Sequence, residues 1–186
     1  MNNDLYRAAG VPERHKSFRP EQSTSEEWTA VYNSLKERIN DGILSGITGE
    51  RGCGKTQLGA CLIGHCAFNL QKSCMYQKSA DIFLRIREGM KIEGDSEKAA
   101  IAEFVKPFLL VIDAFEVRSE SQFENRMLDH IIDKRYDGQK STIILSNDTV
   151  DNLRTVLGSS ICDRMRETGG IIWMTWKSFR IQKNFK

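Results

Sequence analysis

"GERGCGKT", residues 49–56, has the spacing G-x-x-x-x-G-K-[ST], and its reading decides the fold. Each residue type at that spacing has a physical task. Gly49, Gly52 and Gly54 let the backbone, with Glu50, Arg51 and Cys53 between them, wrap so that its N–H groups converge on a phosphate chain. Lys55 reaches the outer phosphates, and the Thr56 hydroxyl is suited to Mg²⁺. A helix that begins at Lys55 presents its positive end to the same anion. The loop therefore predicts a nucleotide triphosphate site, with ATP and Mg²⁺ as the ligands.

The flanks agree with this context. A short strand is expected at 43–48 (ILSGIT) and a helix from Lys55 to about Leu70. Further along, strands are expected at 73–77, 108–112, 141–146 and 171–176. One or two helices fill 79–104, another runs from about Ser119 to Tyr136, and two short ones are broken at Gly158. "FLLVI" and "TIIL" are apolar without alternation, as strands buried on both faces should be. Alternating strands and helices predict an α/β fold, a parallel sheet flanked by helices.

Upstream, "STSEEWTAVYNSLKERIN" opens with a capping-box spacing, Ser23 to Glu26, and places Trp28, Val31, Tyr32, Leu35 and Ile39 on one helical face. Residues 1–22 carry Pro12, Pro20 and scattered charges without a period. They read as an N-terminal arm, leaving 23–186 as one domain that ends in the short basic tail "KSFRIQKNFK". With 186 residues, 40% of them hydrophobic, one core is expected. The net charge of +2 selects no class of partner. No apolar stretch approaches the about 18–20 residues needed to cross a bilayer, so no membrane partner is expected and the reading is cytoplasmic. The five cysteines form no CxxC pair, and an odd number argues for reduced thiols. Cys61 and His65, four apart on a helix, fit core packing better than a metal site.

"FLLVIDAFE", residues 108–116, ends its apolar run at Asp113, at the edge where ligands bind in open α/β sheets. A carboxylate there can hold the magnesium shell, so Thr56 and Asp113 are the metal candidates. A small-molecule kinase is one alternative. It would need an acceptor pocket and an arginine-bearing lid, for which Arg164 or Arg166 are available, but nothing after Asp113 reads as an acceptor signature.

The order of phosphate loop, strand, "FLLVID", helix, "STIILSNDT", "LGSSICDRMRETGG" and "WKSFR" resembles the AAA+ ATPase domain of the DnaC/IstB-like family of helicase loaders and transposition-associated ATPases. The resemblance covers roughly residues 10–181, from "AGVPERHKSF" onward. "DRM" followed by a glycine pair, with the aromatic "WMTWKSFR", points to the bacterial and phage helicase-loader branch. It implies a P-loop NTPase of the AAA+ type with five parallel strands in the order 5-1-4-3-2. Asn147 then matches the first sensor, Arg164 in "DRM" the arginine finger that completes a neighbour's site, and Arg180 the second sensor. Together with Lys55 and Asp113 these are the catalytic candidates. Taken singly, Asn147 could simply open a turn and Arg164 could be a solvated helix residue.

Two departures from the family pattern matter. Family loaders carry a separate helicase-gripping domain in front, and here about 22 residues precede the first helix. The family also places an acid directly after the magnesium-binding Asp, where this chain has Ala114; Glu116 lies two residues further on. Slow or partner-triggered hydrolysis is the expectation, since losing a general base costs about two to four orders of magnitude. In the resemblance, single-stranded DNA is held by the helical insert at about 79–105, where "FLRIREGMK" supplies Phe83, Arg85, Arg87 and Lys91. The implied function is an ATP-binding helicase loader in replication initiation, with a replicative helicase, single-stranded DNA and copies of itself as partners. A non-hydrolysing regulator of a host loader or helicase, and a transposition helper, are the remaining alternatives.

Overall fold

A computed structural model describes residues 3–90 and 97–180. Five parallel strands form its centre: β1 (Leu44–Gly49), β2 (Cys74–Lys78), β3 (Leu109–Asp113), β4 (Ser141–Ser146) and β5 (Gly170–Met174). Their order across the sheet is β2-β3-β4-β1-β5, the expected order read from the other edge. Leu44 pairs with Thr142, Ser45 with Gly170, and Leu109 with both Ser141 and Cys74. The strands thus start level, and the chain leaves Gly49, Asp113 and Ser146 at one edge of the sheet. The phosphate loop belongs to that edge because β1 ends there.

Helices cover both faces. On one lie α1 (Asn3–Ala8), α2 (Glu26–Arg38) and α3 (Lys55–Phe68), packed over Ile47, Val111, Ile143 and Leu145. On the other lie α4 (Ser79–Gly89), α5 (Glu97–Val105), α6 (Gln122–Asp137) and α7 (Val150–Thr168), packed over Leu44, Leu110, Ile112 and Ile144. Successive residues of each strand point to opposite faces, so uninterrupted apolar runs are what a sheet covered twice requires. Gly158, at φ 75°, interrupts the helical geometry of α7 at the expected break.

Three local expectations are corrected. The cap of α2 is Ser25, whose hydroxyl accepts from the Trp28 N–H; Ser23 instead bonds the Ser25 backbone, so the Ser23–Glu26 box does not form. α6 starts at Gln122, because the Ser121 hydroxyl accepts from Glu124 N and fixes the first turn there. The sheet ends at Met174, and residues 175–180 turn over the phosphate loop: Trp176 Nε1 donates to Cys53 O at 2.9 Å and Phe179 N to Gly52 O at 2.9 Å.

The stretch expected as an arm lies against the body over its described part. Tyr6, Ala9 and Val11 are buried, the Tyr6 ring meets Phe68 at 4.8 Å, and Tyr76 N donates to Ala9 O at 2.7 Å. Further along, His15 Nδ1 and Gln57 Oε1 share a hydrogen bond of 2.9 Å, and Phe18 sets its edge on the Trp28 ring. Lys91 and residues 181–186 of the basic tail lie outside the described residues.

Candidate nucleotide-binding site

A cleft of about 640 Å³ opens at the C-terminal edge of the sheet. The phosphate loop supplies Arg51, Gly52, Gly54, Lys55 and Thr56 to its wall, and Asp113, Ala114, Asn147 and Arg180 complete that side. Gly54 shows why the loop needs glycine. Its φ is +95°, and a Cβ there would stand 2.8 Å from the Trp28 indole nitrogen. That same indole N–H donates to Gly54 O at 3.2 Å, so α2 braces the loop from outside. Gly54 also serves as the N-cap of α3 without a side-chain hydrogen bond, leaving the positive end of the helix to an anion.

Lys55 is 6% exposed, and its ammonium donates to Gly49 O at 2.7 Å and Glu50 O at 2.9 Å. A buried cation must have acceptors, and these two carbonyls are the nearest. To reach a phosphate the ammonium exchanges them for phosphate oxygens, a charge-assisted and stronger pairing. Thr56 Oγ1 donates to Asp113 Oδ2 at 2.8 Å, and the Tyr76 hydroxyl donates to that same oxygen. The other carboxylate oxygen accepts from Ala114 N at 2.7 Å. Burial, then the hydrogen bond to Asp113, pushes the Tyr76 phenol well above its ordinary range, so it remains a donor. Hydroxyl and carboxylate oxygens brought together by α3 and β3 are the donor set that suits Mg²⁺.

Asn147, at the tip of β4 between β1 and β3, lines the cleft wall, and so does Arg180. Arg164 stands elsewhere, on the second half of α7. Its guanidinium pairs with Asp133 and lies 5.4 Å from the Tyr136 ring centroid. The candidate DNA residues are only partly presented. Phe83 is 2% exposed within the core and offers no ring to a base, because α4 buries its Ile82–Phe83–Ile86 face. Arg85 pairs with Glu103; Arg87 pairs with Glu124 at 3.4 Å and covers the Phe123 ring. Both arginines remain on the outer surface of the insert.

Sequence reasoning missed the opposite wall. Arg14, His15, Phe18, Gln22, Thr24 and Trp28 line it, with Phe179 reaching across from the other end of the chain. Only the likeness of "AGVPERHKSF" to the family's lead-in segment marked this stretch. Its aromatic surface and amide and hydroxyl groups suit a flat heterocycle next to the phosphate loop.

Loop, metal-type acid and strand order together define a P-loop NTPase of the AAA+ type. The chain belongs to the family of IstB-like ATP binding proteins, whose model matches residues 37–186. It is 30% identical over 135 residues to the replicative helicase loader DnaC of Escherichia coli (strain K12), covering 72% of this chain and 54% of that protein. The chain thus spans about half the length of the curated relatives it matches. Among solved structures, a DnaC helicase loader superposes with TM-score 0.73 at 18% identity, covering 89% of this chain and 100% of the other. The replication initiator DnaA bound to AMPPCP and single-stranded DNA superposes with TM-score 0.74 at 16% identity, covering 90% and 52%. Among the described residues no helix is long and apolar enough to cross a membrane.

Proposed function

We propose that this chain is a cytoplasmic helicase-loader-like ATPase of replication initiation, which binds ATP with Mg²⁺, assembles on single-stranded DNA and engages a replicative helicase. The observation that carries the reading is the Thr56–Asp113 pair set against the Lys55 loop, at the edge where AAA+ folds take their nucleotide. The similarity to DnaC supports the helicase and the replication role, and the fold shared with a DNA-bound DnaA supports the nucleic acid.

In this reading Lys55 and the N-terminal end of α3 bind the phosphates, and Thr56 and Asp113 hold Mg²⁺, which would neutralise charge on them. Arg180 meets the outer phosphates from the segment that lies over the loop. Arg164 serves a neighbouring copy, so it must leave Asp133 and Tyr136 on assembly, and hydrolysis follows oligomer formation. Arg85, Arg87 and Lys91 contact the DNA backbone without Phe83. One observation favours a second reading, a nucleotide-bound regulator that does not turn over: alanine stands at 114, where the family has its acid.

Equilibrium titration with ATP and phosphate release, each with and without Mg²⁺, single-stranded DNA and a replicative helicase, tests the proposal. ATP is expected to bind more tightly with Mg²⁺. Release should rise at least about tenfold when DNA and helicase are present, as completion of the site in trans requires. DNA affinity should fall steeply with salt. Absence of ATP binding would sink both readings, whereas binding without release under every condition would leave the regulator.

A further inference from the structure

We infer that Glu116 is the water-activating base of this site, placed there by a left-handed turn at Ala114 instead of by an acid directly after Asp113; the inference rests on the ATPase reading above. Ala114 has φ 52° and ψ 46°, a conformation that residues with a Cβ adopt at a cost. The turn is held firmly. Ala114 N donates to Asp113 Oδ1, Ser79 Oγ donates to Ala114 O at 2.9 Å, and Val117 N donates to Ala114 O at 3.0 Å. The following Phe115 is fully buried and lies 4.7 Å beneath the Arg118 guanidinium, which itself donates to Asn125 Oδ1 at 2.7 Å and Val156 O at 3.0 Å.

Between these two anchors Glu116 has little choice of direction. A chain continuing straight from β3 would carry residue 116 away from the sheet; the left-handed turn sends it sideways, to the tip of the neighbouring strand β4. There its carboxylate accepts from Asn147 N at 3.1 Å and from the Asn147 side-chain amide, and lies 3.4 Å from Ser146 Oγ, whose nearer acceptor is Asp148 Oδ2 at 3.1 Å. Asn147, Ala114 and Asp113 line the cleft with Lys55 and Thr56, so Glu116 lies one hydrogen bond behind the cleft wall. In this reading Asn147 holds the attacking water at the cleft wall, and the carboxylate bound to Asn147 accepts that water's proton.

The step balances without further reactants. The water oxygen forms a bond to the γ-phosphorus while the bond from that phosphorus to the bridging oxygen breaks and ADP departs with the electron pair. The water proton passes to Glu116 and from there to solvent. Asp148 is a second acid at this strand tip, with its carboxylate 3.1 Å from Ser146 Oγ; Glu116 is the acid bound to the Asn147 side-chain amide.

The test uses the full chain with ATP, Mg²⁺ and single-stranded DNA. Phosphate release is followed in a single turnover, and ATP affinity separately by tryptophan fluorescence, since Trp28 lines the cleft. Glu116→Gln keeps an acceptor for Asn147 N. It is expected to slow release by about 100-fold or more with ATP affinity changed less than about threefold. Adding Ala114→Glu to that variant restores the acid at the family's position and is expected to recover release. A Glu116→Gln rate equal to the parent's, or no recovery in the double variant, overturns the role of Glu116. A parent chain that binds ATP but releases no phosphate above background overturns it as well. Loss of ATP binding in the parent would instead overturn the nucleotide reading on which it rests.

Discussion

Lys55 and Arg135 are both buried cations, both held by carbonyl oxygens and not by a carboxylate among the described residues, and they occupy opposite ends of the same sheet. Arg135 spends its five donors. Nε donates to Thr142 Oγ1 at 2.8 Å, and Nη1 to the carbonyls of Phe104, Val105 and Pro107 at 2.9, 3.3 and 2.9 Å. Nη2 donates to Phe108 O at 3.4 Å and Ser141 O at 2.5 Å. Burial pulls its guanidinium down to about 9, yet that remains far above neutral pH, so the carbonyls hold a charge. Lys55 has two carbonyls and a weak contact to Cys53 Sγ at 3.6 Å. A saturated cation is a fastener for the end of α5, the 105–108 loop and β4. A cation with few and exchangeable acceptors can be handed to a ligand.

The largest expected effect breaks the comparison on the Arg135 side. Arg135→Met takes their guanidinium donor from the carbonyls of Phe104, Pro107, Phe108 and Ser141, Val105 O keeping Lys140 Nζ, and should cost about 3–4 kcal/mol of stability, or about 10 °C in Tm. Denaturant and thermal unfolding measure it, and the folded fraction should bind ATP with unchanged affinity. A loss under about 1 kcal/mol would mean that Arg135 is not a fastener.

Lys55→Ala comes next and should have the opposite profile. Losing a charge-assisted contact to phosphate lowers ATP affinity by about 100-fold, equivalent to about 2.7 kcal/mol. The stability of the nucleotide-free chain should change by less than about 1 kcal/mol, because two carbonyls at a loop edge can rehydrate. A fall in stability comparable with that of Arg135→Met would erase the distinction between the two cations.

Tyr76→Phe sharpens the comparison where the two characters meet, since its hydroxyl is buried but donates to the metal-type acid. Thr56 still donates to Asp113 after the change, so a stability loss of about 1–1.5 kcal/mol is expected, with ATP affinity in Mg²⁺ within about threefold. If affinity falls and stability does not, Tyr76 belongs with Lys55 and not with Arg135.

This contrast also marks what could be read before folding. Lys55 was legible because phosphate chemistry imposes a fixed spacing on "GERGCGKT", and Asp113 because an apolar run stopping at an acid marks a strand end. The strand order came with the family likeness. Arg135 was not legible: it lies in "DKRYD" on an amphipathic helix, and its acceptors come from residues 104–108 and 141–142. The wall at Arg14–Trp28 escaped for a related reason. Tyr6, Val11 and Phe18 fall at no regular spacing in their stretch, and each packs on surface built by other elements, so no period betrays them. Phe83 was ambiguous between core and exposed ring, and packing of α4 decided it. The direction of Glu116 depended on a left-handed alanine, which no composition rule anticipates, since glycine and asparagine are the residues that announce that conformation.

The smallest expected effect is the coupling between the two cations, which should be close to zero. Lys55 follows the C-terminal end of β1, and Arg135 fastens the first residues of β4, the strand paired with it. The five steps along a six-residue strand, at about 3.3 Å each, separate those ends by about 16 Å, beyond the roughly 7–10 Å within which substitutions interact. ATP at 100 times its Kd should stabilise the parent by about 2.7 kcal/mol through mass action, and Arg135→Met by the same increment from its lower baseline. Thermal unfolding of both chains with and without ATP closes the cycle, and agreement within about 0.5 kcal/mol is expected. A larger coupling would mean that β4 transmits strain from its fastened end to Asn147 at its tip. The fastener would then help set the nucleotide site, and the sheet could not be treated as two independent ends.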